Sequence, residues 1–165
     1  MALETNPFVV LSYVSGPALL TNATSLLLLS TANRFARAID RSRYLTGLLR
    51  DPALDELHAS EVAELRTTGR RISLIGLAIS GLYLAAAMFA LATVMSILGA
   101  VLAQMISGAI LDVIVVFAVL LGLVGFAAFV AAAFALVVET RITMGSLANE
   151  SAAAITAMEE ALRRK

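Results

Sequence analysis

Cysteine is absent from the 165 residues. That removes a disulfide framework, a thiol nucleophile and any thiolate metal site. Histidine occurs once, at His58, so no His-based metal or catalytic cluster can form within one chain. Charge is scarce as well. Asp, Glu, Lys and Arg make up 15% of the residues, 12 of each sign, and the formal net charge of zero points to no class of charged partner. No cofactor is implied, and with neither a nucleophile–base pair nor a metal set in view, no enzyme is expected.

Apolar sequence is what the chain has in abundance. It is 60% hydrophobic, with a mean hydropathy of +0.91. A soluble domain of this size is about half apolar and about a quarter charged. A small core cannot hide the excess, so lipid must supply part of the solvent. Three stretches reach the ~20 mostly apolar residues that a membrane helix needs: about 7–33, 72–102 and 110–138. The linker "AQMISG" (103–108) is long enough only for a turn. The first stretch has Glu4 ahead of it and arginines behind it, the reverse of a cleaved signal peptide.

All 12 Lys and Arg lie within 34–71 or from Arg141 onward. The positive-inside rule places both regions in the cytoplasm, with the N-terminus outside and the C-terminus inside. The expected fold is therefore an all-α membrane protein, one membrane domain over 1–165. It has three transmembrane helices, a cytoplasmic helical hairpin (34–71) and a cytoplasmic C-terminal amphipathic helix (139–165). Within the hairpin, "RFARAIDRSRYLTGLL" continues the first helix. Asp51 and Pro52 then start a second, with Asp55 and Glu56 in its first turn and a bend near Gly69.

The first span carries unusual polarity. At about 3.6 residues per turn, Ser15, Asn22, Leu26, Leu29, Asn33 and Arg37 share one broad stripe, with Thr24 and Thr31 opposite. Ser and Thr can bond back to their own helix, whereas the Asn22 amide cannot be satisfied locally. It is either interhelical glue or the polar lining of a pore. In the pore reading Ser15 and Asn22 form the outer vestibule, Leu26 and Leu29 an apolar gate, and Asn33 and Arg37 the inner mouth. Pro17 lacks an amide hydrogen, so the helix kinks there or begins afresh with Ser15 as its cap. In the other spans Gly76, Ser80, Gly81, Ala85, Gly122, Gly125 and Ala131–Ala133 are small residues suited to close helix packing. Asp112 and Glu139 lie at span ends, where they reach water.

Arg34, Arg37, Arg41 and Arg43 admit three readings. They contact lipid headgroups, or Arg37 and Arg43 pair with Asp40 three residues away, or the group forms an electropositive pore mouth. Nucleic acid is not an expected partner, because the acidic residues of Asp51–Glu64 offset these charges. Met144, Ala148, Ser151, Ile155, Met158 and Leu162 follow one another at steps of 4, 3, 4, 3 and 4, a heptad seam. The seam packs on the chain's own hairpin or surrounds an oligomer axis. The expected partners are membrane lipid, further copies of the chain and inorganic ions.

The runs "GPALLTNATSLLLLSTANRFARAIDRSRYL", "LRTTGRRISL" and "VVETRITMGSL" together resemble a bacterial family known as domain of unknown function 2721. The similarity covers nearly the whole chain and is most specific over Pro17–Leu45. Asn33-Arg34, Asp40–Arg43, Arg70-Arg71 and Glu139–Arg141 look like that family's pattern. The resemblance implies a small bacterial inner-membrane protein and carries no catalytic residues. From the residues themselves, the leading functional expectation is a pore-forming ion-channel subunit lined by the first span. The alternative is a non-conducting scaffold or regulatory subunit that docks a partner or anionic lipid through its basic helices.

Overall fold

The structure, a computed structural model, describes residues 7–49, 58–103, 105 and 108–163. It consists of three long helices: α1 (Pro7–Leu48), α2 (His58–Leu102) and α3 (Ala109–Arg163). No strand occurs among the described residues. The expected helix start at Asp51 and Pro52 lies outside them.

Each helix runs further than an apolar span requires. Residues 34–48 finish α1, 58–71 open α2, and 139–163 finish α3 without a break. Gly69 produces no interruption of α2, and Pro17 neither ends α1 nor starts a second helix. The fresh start capped by Ser15 is therefore replaced by a continuous helix that carries Pro17 inside it. Between α2 and α3 the chain turns at Gly108, whose φ of 118° is open to glycine at little cost.

Two compact units are present, and every helix contributes to both. The first unit holds α1 up to Arg34 together with Leu77–Ala133. Its buried positions on α2 are Ala78, Leu82, Ala85, Phe89 and Ala92, alternating steps of four and three. This is the heptad line of left-handed helix packing, in which apolar side chains of one helix fill holes on the next. Thr24 and Thr31 of α1, seven residues apart, are fully buried in the same unit. Glycine permits the closest approaches. A Cβ on Gly125 would stand 3.0 Å from Met88 and from Phe89, and one on Gly81 would stand 3.1 Å from Ala132. Gly76 and Gly122 face open space instead, so the small-residue reading holds for some of these positions and fails for those two.

The second unit holds Phe35–Gly76 and the chain from Phe134 onward. Ala38, Leu45, Thr68, Ile75, Ala135 and Glu139 are buried in it. Arg41 on α1 pairs with Glu64 on α2, Nη2 to Oε1 at 2.7 Å, and its guanidinium lies 5.4 Å over the Tyr44 ring.

Two helical stretches, Val62–Leu102 and Ala109–Ala148, are long and apolar enough to cross a membrane. Only 22% and 6% of their most apolar windows are buried, which is not how the core helices of a soluble protein behave. Leu77, Leu84, Leu91 and Leu98 line one exposed edge of α2, and Val113, Val116, Leu120, Leu123 and Val130 cover exposed α3. Apolar surface this extensive gives the two stretches the character of membrane helices. Among the described residues α1 does not meet the length and composition test.

Candidate functional site

Three groups of side chains stand out: a polar line on α1, a buried ion pair, and an apolar line at the end of α3.

Polarity in α1 resolves into two kinds. Thr21, Thr24, Ser25 and Thr31 each donate their hydroxyl to the backbone carbonyl four residues back, at distances between 2.7 and 2.9 Å. Those hydroxyls add no unmet polarity, and Thr24 and Thr31 pack as small residues would. Asn22 is different. Its side chain is exposed, and no hydrogen bond to it occurs among the described residues. Leu19, Leu26 and Leu29 flank it along the same exposed edge, each about two-thirds exposed. Asn33 and Arg37 continue the line and are exposed as well, while Ser15 is half-buried.

The basic cluster is less uniform than the sequence suggests. Arg34, Arg37 and Arg43 are exposed, with Arg43 beside a shallow groove shared with Tyr44, Gly47 and Leu48. Arg41 is committed to Glu64, through Nε at 2.8 Å as well as through Nη2. The sequence offers Asp40 as the acidic partner in this turn. Its spacing suits Arg37 and Arg43, three positions away on either side; Arg41 takes Glu64 on α2, twenty-three residues away.

The buried ion pair is what sequence reasoning missed. Glu139 does not reach water: the residue is 3% exposed. Its carboxylate accepts Arg71 Nε–H at 3.1 Å and the Thr143 hydroxyl at 2.9 Å. A buried carboxylate needs such partners, since an unpaired one carries a large desolvation cost. The clue was present in the chain. One apolar run opens on Arg71 and another closes on Glu139, so opposite charges sit at matching ends of consecutive apolar helices.

Along the C-terminal seam Met144, Ala148, Ser151, Ile155, Met158 and Leu162 are all exposed among the described residues.

Comparison with curated proteins finds no match, and neither does comparison with solved structures. The match is at the level of family: residues 14–149 fit the family described as protein of unknown function DUF2721, and the chain belongs to it.

Proposed function

We propose that the protein is the pore-forming subunit of a homo-oligomeric ion channel lined by α1. The observation that carries this reading is Asn22, an exposed amide in the middle of a leucine edge with no partner in its own chain among the described residues. In hydrocarbon an unmet amide costs several kcal/mol. In a ring of subunits the same side chain faces water or its symmetry mates. In this arrangement α1 crosses the bilayer as a third span, since its hydroxyls are already satisfied by its own carbonyls. Asn22 then forms the outer polar ring, Leu26 and Leu29 a constriction that gates by dewetting, and Asn33 and Arg37 the inner mouth. Ser15 lies at the outer end. This reading puts the protein in the bacterial inner membrane with the N-terminus outside and both Arg-rich regions in the cytoplasm; the confinement of all 12 Lys and Arg to 34–71 and 141 onward supports the orientation.

A second reading has its own support. Arg43, Arg66, Arg70 and Arg141 are exposed guanidiniums within the second unit. They suit a non-conducting scaffold or regulatory subunit held against anionic lipid headgroups or a protein partner.

Ion flux in liposomes reconstituted with purified protein separates the two. Wild type should conduct, Asn22→Leu should conduct less, and Leu29→Ser should conduct more because a hydroxyl wets the constriction. Silence of all three across a range of voltages and salts would overturn the pore reading and leave the scaffold.

A further inference from the structure

One exposed line runs the length of α3's second half. Phe134, Val137, Arg141, Met144, Ala148, Ser151, Ile155, Met158 and Leu162 follow at alternating steps of three and four, and all are exposed. Up to Val137 the line is covered by lipid, given the membrane placement proposed above. Arg141 marks the headgroup level, and beyond it lipid no longer reaches. Met144, Ile155, Met158 and Leu162 are nevertheless 64%, 60%, 69% and 67% exposed. The chain's own packing uses a different line, on which Ala135 and Glu139 are buried and Ile142 and Ser146 half-buried.

We propose that this seam, Met144 to Leu162, is a self-association surface whose occupant is the same seam of a second copy, parallel and in register. The helix argues for an extended partner. α3 is unbroken to Arg163, so its tail continues along the helix axis and cannot turn to lie on the membrane. At about 1.5 Å per residue the seam projects ~27 Å. Four large apolar side chains over that length need a surface of matching length and period, which a second heptad line provides.

The membrane argues for a second copy of this chain. Every copy inserts with the same orientation, so the tails are parallel. Every copy has Arg141 at the same depth, so the seams are in register. Confinement to one bilayer also raises the local concentration of tails without any new contact. Charge agrees. Glu159 and Arg163 are exposed beside the seam, one turn apart on the same helix, and no charged residue lies on the line between Met144 and Leu162. Between Met144 and Leu162 parallel copies therefore set no like charges face to face; the Arg141 side chains, one turn earlier on the line, meet at the headgroup level, where water and salt screen them. Ala148 and Ser151 let the helices approach closely near the membrane, and Ile155, Met158 and Leu162 fill the wider distal part.

Single cysteines test this in the full chain, which has none of its own. Ser151→Cys and Met158→Cys lie on the seam; Thr156→Cys is an exposed control off it. In vesicles under mild oxidation, both seam variants should form disulfide-linked dimers at least about tenfold faster than the control, as expected for contact over collision. A size-tagged Ser151→Cys chain mixed with Met158→Cys should give no mixed dimer, because register keeps those positions about 10 Å apart. Equal rates at all three positions, or abundant mixed dimer, would overturn the proposal. Protection of the seam thiols from water-soluble reagents at dilutions where no dimer forms would put lipid on the seam, and would overturn it too. In the Ser151→Cys chain, Ile155→Lys combined with Met158→Lys should slow cross-linking to the rate of the Thr156→Cys control; an unchanged rate counts against the seam. The two proposals fail separately. A silent channel with the cross-links intact removes the pore and keeps the seam, and flux without the cross-links does the converse.

Discussion

Arg71 and Glu139 meet across α2 and α3 with Nε 3.1 Å from Oε1, at the point where one apolar helix begins and another ends. The carboxylate is buried, with 4% of its side chain exposed, while the guanidinium keeps 27%. The asymmetry decides which partner suffers more when the other is removed. Arg71→Met strands a buried carboxylate and should lower apparent stability in mild detergent toward the low end of about 3–5 kcal/mol. Glu139→Gln keeps a side chain for Thr143 and leaves a guanidinium that still reaches water, so its cost should be about 1–3 kcal/mol. Arg71→Met with Glu139→Leu should recover much of the loss, giving a coupling above about 1 kcal/mol in a double-mutant cycle. Strictly additive losses would show that the pair is incidental.

Glycine substitutions should separate by contact rather than by depth. Gly125→Ala drives a methyl against Met88 Cβ and the Phe89 ring at 3.0 Å, in a core line that has no slack. It should cost about 1–3 kcal/mol as overpacking. Gly122→Ala, one turn earlier with nothing within 4 Å, should be neutral or gain up to about 1 kcal/mol from helix propensity. Thermal melts of the two variants in the same detergent make the comparison.

The helices were legible because apolar runs of this length exceed what a small soluble core can bury. The continuity of α1 past Asn33 was legible from the lack of a breaker before Gly47. Two things were not. Helix periodicity ranks positions on one helix but says nothing of which neighbour arrives, so Glu64 as the partner of Arg41 could only come from tertiary structure. Position at the end of an apolar run also does not imply water: Glu139 lies at such an end and is buried because α2 presents Arg71 to it.

The Arg41–Glu64 pair has short distances and a small expected effect. Its side chains are 51% and 31% exposed, so water screens them. Glu64→Gln should therefore change stability by less than about 1 kcal/mol. Arg41→Ala should cost somewhat more, because it also removes the cation over the Tyr44 ring. Raising the salt concentration should erase the first effect before the second, since stacking on the ring is partly apolar contact.

Thr24 and Thr31 offer the sharpest contrast with Asn22. Their hydroxyls bond to Leu20 and Leu27 carbonyls at 2.7 Å, and both side chains are fully buried. Each carbonyl already serves the helix ladder, so losing the hydroxyl strands no buried donor. Thr24→Val and Thr31→Val keep the shape and remove one hydroxyl hydrogen bond each, so they should change stability by less than about 1.5 kcal/mol. Thr24→Leu adds volume to a tight line and should cost about 1–3 kcal/mol. Asn22→Leu should do neither within one chain, because the amide is exposed. Its effect should appear only in what the subunits do together, as lost flux or a changed native mass. A large loss of monomer stability in Asn22→Leu, matching that of Thr24→Leu, would place Asn22 inside the subunit and end its candidacy as a pore residue.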